Sequence, residues 1–208
     1  MTAMRGRGLF AVGLVWAKGR SDAERSIAFV AYGLTVMAVM LAVCILIRPE
    51  SLRVNYGVSY LGVVTNTIVP YAAGFVSAAC CIWRASELVT ELDHGVIVSR
   101  SMKIIAIQLV GLLLTPYTRL DPAHIFFGST LFLLQLGLAF LAIKWLGGGD
   151  RNIPLLAGLM VMSGTAAAYY LPQTRGFELQ TQLVFQLAFW ALFIKLLRGL
   201  QLEPAAAR

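Results

Sequence analysis

Arg119, Asp121 and His124 stand close together in residues 116–128, PYTRLDPAHIFFG, of a chain that is 59% hydrophobic and only 13% charged. Ionisable groups are costly in such surroundings, so each one there needs a reason. Asp121 followed by Pro122 has the pattern of a helix start, with the carboxylate as N-cap, the proline at the first helical position and His124 at the third. A helix N-terminus beside an arginine is also an anion site, because free N–H groups and a guanidinium fork both suit a phosphate or carboxylate. His124 adds a hydrogen-bond donor or shuttles a proton. Capping accounts for Asp121 and Pro122 but leaves Arg119 and His124 unexplained.

Two chemistries follow. In the first, Arg119, His124 and Arg175, with Asn66 and Tyr60 on the same rim, bind a lipid headgroup or another anionic ligand without catalysis. In the second, Asp121, His124 or Glu178 acts as acid or base in an intramembrane enzyme working on a lipid or isoprenoid. Arg175 enters through a repeat: PYTR at 116–119 and PQTR at 172–175 each follow an apolar run and lead into the next. Related hairpins would bring both arginines to one site. Transporters often carry repeats, but no apolar run here holds a mid-membrane charge of the kind that moves ions or protons. A small permease, with Gln108, Gln135 and Gln186 along a narrow passage, is the second alternative.

The elements that must position these residues are membrane helices. Mean hydropathy is +0.77, far from the balance of a water-soluble domain. Six apolar runs lie between charges, and about 20 helical residues cross a bilayer core. The expected fold is therefore all-α, a six-transmembrane-helix bundle with spans near 26–47, 58–83, 101–117, 122–144, 153–172 and 179–198. A basic interfacial segment, 1–25, precedes it and a short tail, 199–208, follows. The third and sixth runs are short, and reach full length if Lys103, Lys195 and Arg198 snorkel. Pro70, inside the second span, is expected to kink it.

Six spans put both termini on one side. Most of the 17 basic residues fall there, and only Arg48, Arg53, Arg119 and Arg175 on the other. The excess marks the cytoplasmic face. It also accounts for the net charge of +7, so no nucleic-acid partner is needed. Arg5 and Arg7 before GLFAVGLVWA imitate a signal peptide, yet Lys18, Arg20 and Arg25 follow at once without a cleavage site. An interfacial helix with Trp16 at headgroup depth fits better. Trp83 and Trp145 mark cytoplasmic helix ends. The expected location is the cell membrane, and the expected partners are its lipids or a membrane protein.

The polar residues gather at the opposite, extracytoplasmic end: Asn55, Tyr56, Ser59 and Tyr60; Tyr117, Arg119, Asp121 and His124; Tyr169, Tyr170, Arg175, Glu178 and Gln182. Together they would rim a polar mouth. Deeper amides and small residues, such as Gln135, Gln186 and Gly74, are expected to join helices. Cys44, Cys80 and Cys81 form no disulfide framework or metal spacing and are read as packing residues. There is no HExxH, GxSxG, CxxC or Walker loop, and no cofactor is implied. In SELVTELDHGVIVSR, Glu87, Glu91, Asp93 and His94 have the composition of a metal cluster, but equally that of a solvated helix end with Gly95 as its stop.

NYGVSYLGVVTNTIVPYAAGF, followed later by DPAHIFFGSTLF, resembles the six-helix DRAM/Frag/Sfk family and its bacterial relatives. The matching positions are Ser59, Gly62, Asn66, Gly74 and His124, while Tyr60 stands where many relatives carry an acid. The resemblance implies a membrane protein that influences lipid organisation, lipid remodelling or a partner complex.

Overall fold

The computed structural model describes residues 21–53, 57–90, 92, 94–167 and 177–206. Among them there are seven α-helices, one 3-10 turn and no strand. The helices are α1 (Asp22–Ile47), α2 (Gly57–Leu61), α3 (Ile68–Leu88), α4 (Gly95–Leu114), α5 (Asp121–Leu146), α6 (Asn152–Thr165) and α7 (Glu178–Ala206), with the 3-10 turn at Pro49–Arg53. Five of them, α1, α3, α4, α5 and α7, are long and apolar enough to cross a membrane, and α6 is a shorter apolar helix of 14 residues. The chain is an all-helical, multi-pass membrane protein.

Helix α1 packs along α3, α3 along α4, α4 along α5, α5 along α6 and α6 along α7, and contact between α7 and α1 closes the circuit. A capping box starts α1: the Glu24 N–H donates to Ser21 Oγ at 3.4 Å, and the Ser21 N–H to the Glu24 carboxylate at 3.1 Å, satisfying two groups that helix geometry leaves free. Gly33 and Gly74 let α1 and α3 approach closely. A Cβ on Gly33 would meet Cys81 at 2.6 Å, and one on Gly74 would lie 3.0 Å from Met40. Cys44 and Cys81 are buried and Cys80 is exposed.

Three expectations are corrected. The second span is not continuous: α2 stops at Leu61, residues 62–67 form a turn, and α3 begins at Ile68. The turn is closed by Thr67, whose buried hydroxyl donates to the Leu61 carbonyl at 2.7 Å and to that of Val64 at 3.1 Å. It thereby satisfies a carbonyl that the end of α2 leaves free. Pro70 makes no kink, because it sits in the first turn of α3, where a missing N–H costs nothing. Gly95 is the first residue of α4 rather than a stop. His94 takes the left-handed conformation with φ 52°, and a side chain at Gly95 would run into the Val89 carbonyl. The Lys195 ammonium pairs with Asp150 in the turn between α5 and α6 at 2.5 Å.

Several polar side chains join helices inside the circuit. Gln135 on α5 and Gln186 on α7 exchange two amide hydrogen bonds, each 3.1 Å, so these two amides satisfy each other rather than face an open passage. Ser26 donates to the Ala85 carbonyl at 3.1 Å and Ser99 to the Ser86 carbonyl at 2.7 Å. Gln108 is buried, and its carbonyl oxygen has no partner among the described residues.

Candidate functional site

The polar end of the molecule is organised by the turn between α4 and α5. At the end of α4 the Thr115 N–H and hydroxyl both reach back to the Gly111 carbonyl, at 3.0 and 2.7 Å. The backbone at Thr115 has left the helix, with ψ 69°, so its own carbonyl needs a partner from elsewhere. That partner is His124, whose Nδ1 lies 2.6 Å from Thr115 O. Close approach of the two helices permits it: a side chain on Gly111 would collide with the Phe127 ring. The Tyr117 ring stands edge-on to the imidazole, with centroids 6.2 Å apart.

A carbonyl only accepts hydrogen bonds, so Nδ1 carries the proton. In the neutral imidazole Nε2 then presents its lone pair, and Ser59 Oγ lies 2.7 Å from it, donating its hydroxyl hydrogen. Ser59 and His124 are both half-buried. The arrangement is a hydroxyl, a base and a group that orients the base, assembled from α2, α5 and the end of α4.

Ser59 reaches this position because α2 is tied to α7. The Val58 N–H donates to Gln182 Oε1 at 2.8 Å, and Gln182 Nε2 donates to Glu178 at 3.3 Å. Gln180 Nε2 donates to the Leu52 carbonyl at 2.7 Å, fixing the 3-10 turn that leads towards α2. Gly57 has φ 54°, a left-handed conformation, and a Cβ there would occupy the position of the Gln182 amide. The left-handed conformation favours glycine, and a side chain there would fit only if Gln182 moved aside. Leu61, fully buried, anchors the other end of α2.

The residues expected to form the site are thus only partly brought together. His124 meets Ser59 and the Thr115 carbonyl, and neither Asp121 nor Glu178 hydrogen-bonds to it. Asp121 is exposed as the first residue of α5; the N-cap is Leu120, and no side chain caps this helix. The expected cap is corrected by one position, although a carboxylate in the first turn still meets the positive end of the helix. Glu178 is half-buried at the start of α7 and accepts from Gln182. Arg119 is exposed and makes no ion pair among the described residues. Asn66 is exposed in the 62–67 turn, and Tyr60 is half-buried beside Ser59, its ring against the core. Arg175, the second copy of the repeated turn, Asn55, Tyr56, Tyr169, Tyr170 and the segment containing Trp16 lie outside the described residues.

At the opposite end of the helices, Glu87 pairs with Arg84 at 3.1 Å. His94 stacks on Trp145, centroids 4.2 Å apart and rings 6° from parallel. Glu91 and Asp93 lie outside the described residues. No group of three metal-ligating side chains occurs among the described residues.

The resemblance names Ser59 and His124, but the roles of the Thr115 carbonyl and of Gln182 were missed. The one available signal was the row of polar residues Glu178, Gln182 and Gln186 along a single face of α7. No protein-family model, no curated protein and no solved structure matches the chain.

Proposed function

We propose that the chain is a six-span membrane protein with both termini in the cytoplasm, and that its α4–α5 end faces outward and binds an anionic lipid headgroup. The apolar run 153–172, which α6 opens, supports the sixth crossing, and the distribution of Lys and Arg supports the orientation. The observation that carries the binding reading is Arg119. Its guanidinium is exposed and without an ion-pair partner among the described residues, in the turn that also delivers His124 to Ser59. A headgroup phosphate is the right size and charge for that fork, and the N-terminus of α5 begins two residues further along the chain. The reading agrees with the influence on lipids that the DRAM/Frag/Sfk resemblance implies.

Native mass spectrometry of the purified protein, with identification of the lipids it retains, tests this. A hydrogen bond to a charged group contributes about 1.5–3 kcal/mol, so Arg119→Ala is expected to lose bound anionic lipid by roughly tenfold or more. His124→Ala is expected to lower retention as well. If both variants keep the same lipids in the same amounts, the headgroup site does not exist.

A further inference from the structure

We propose that Ser59 is a nucleophile activated by His124, and that the protein cleaves the carboxylic ester of an amphiphilic lipid at its α4–α5 end. Two contacts support this. The Thr115 carbonyl, 2.6 Å from Nδ1, selects the tautomer whose Nε2 can accept a proton. Nε2 is 2.7 Å from Ser59 Oγ, within the range a general base needs. The base is itself held by a third group, as activated serines require; here that group is a backbone carbonyl on a neighbouring helix, which orients the ring without adding charge.

A purely architectural role for the Ser59–His124 contact is less well motivated. Short helix α2 is already fixed by the Val58–Gln182 bond, by buried Leu61 and by the Thr67 clasp on the Leu61 carbonyl. The Thr115 carbonyl would be satisfied by His124 with no serine present. The hydroxyl therefore adds little that the surrounding contacts do not supply, and it remains half-buried rather than sealed.

The surroundings indicate the substrate class. Leu114, Leu120, Ile125 and Phe126, on the helix ends and turn that carry His124, are all exposed and in a bilayer would lie against acyl chains. Arg119 is exposed in the same turn. A molecule with an apolar tail and an anionic head fits both, an assignment that rests on the headgroup reading above. In the reaction, Oγ bonds to the ester carbonyl carbon while its proton passes to Nε2. The bond from that carbon to the alkoxy oxygen breaks, and the leaving alcohol takes the proton from Nε2. Water then attacks the acyl-Ser59 ester, giving one proton to Nε2, which returns it to Oγ as the carboxylic acid departs.

The test uses the full-length protein in detergent micelles and an alkyl fluorophosphonate, which reports an activated serine without needing a headgroup. The expected result is a single covalent adduct, mapped to Ser59 and absent from Ser59→Ala. His124→Ala is expected to slow labelling by at least about 100-fold, the scale of general-base assistance. No adduct on Ser59 in the folded wild-type protein, while a soluble serine esterase in the same tube is fully labelled, overturns the proposal. So does labelling of Ser59 at an unchanged rate in His124→Ala. The wild-type result does not depend on any variant folding. Labelling of Ser59 together with unchanged lipid retention in Arg119→Ala would remove the headgroup reading and leave the nucleophile. Loss of lipid in Arg119→Ala without any adduct on Ser59 would do the reverse.

Discussion

Gly57→Ala is the most informative perturbation of the site, because it acts through α2 without touching Ser59 or His124. The residue has φ 54°, and holding an alanine there costs roughly 1–2 kcal/mol. The added methyl would also occupy the position of the Gln182 amide. Gln182 is flexible and can move aside, but moving breaks its 2.8 Å bond from the Val58 N–H, a loss of about 1 kcal/mol. The expected destabilisation is about 2–3 kcal/mol, combining the backbone and hydrogen-bond costs. In a Gln182→Ala background the crowding is gone, so the same substitution should cost only the backbone part, about 1–2 kcal/mol. Unfolding in mixed micelles, followed by circular dichroism for the four proteins of the cycle, measures both numbers. Equal costs in the two backgrounds would show that Gln182 does not hold α2. A cost below about 0.5 kcal/mol in the wild-type background would be that of an ordinary surface substitution, and would refute the left-handed geometry itself.

Two further outcomes follow from the helix contacts. Gln135→Leu or Gln186→Leu alone leaves one buried amide without its partner and should destabilise by about 1–3 kcal/mol. The double variant should be less harmful than the sum of the two, with a coupling of about 1 kcal/mol for two interhelical bonds; strict additivity in the same micelle assay would mean that the amides do not bond. The Asp150 carboxyl is held below its ordinary value of 3.8, first by the hydrogen bond from the Lys195 ammonium and then by the Asn152 N–H. A depressed carboxylate stabilises the fold above its unfolded value and loses that contribution as pH falls through the folded one. Melting temperature should therefore drop below about pH 4 more steeply in the wild type than in Asp150→Asn, and identical acid limbs would exclude the pair as a source of stability.

What was legible in advance depended on how local its cause is. The long apolar helices follow from runs of side chains that only a membrane or a large core can cover, and the charges at their ends mark the limits. The turn at 62–67 was hidden for the same reason. VVTNT is apolar enough to continue a span, and the clasp that ends α2 is a side-chain bond from Thr67 to Leu61, which hydropathy does not register. Pro70 drew attention as the breaker, yet it lies just past the break in a helical first turn. Asp121 and His124 were recognisable as the start of a helix, because caps and prolines act over a few residues. The partnership of His124 with Ser59 was not, since it spans 65 positions and depends on how α2 is held against α7. The pairing of Lys195 with Asp150 was not legible either, because its acid lies 45 residues away in another turn.

The break in the second apolar run and the Ser59–His124 contact have a common physical basis. A continuous helix through 57–88 would leave no free backbone groups within the apolar run, and its interruption must be offset group by group. The chain does so with Thr67 on Leu61 and Val64, while Gln182 on Val58 and Gln180 on Leu52 hold the entry to α2. Polar side chains are thereby recruited to sustain an irregularity that an uninterrupted apolar helix would avoid. Gly57 adds a left-handed residue at the same place, so several local preferences are set aside within one short stretch. Such concentrated departures are expected where a side chain must be held at an angle regular structure does not offer. Here the side chain so held is Ser59. Removing the irregularity by restoring a continuous helix would improve local consistency and would carry the hydroxyl away from His124.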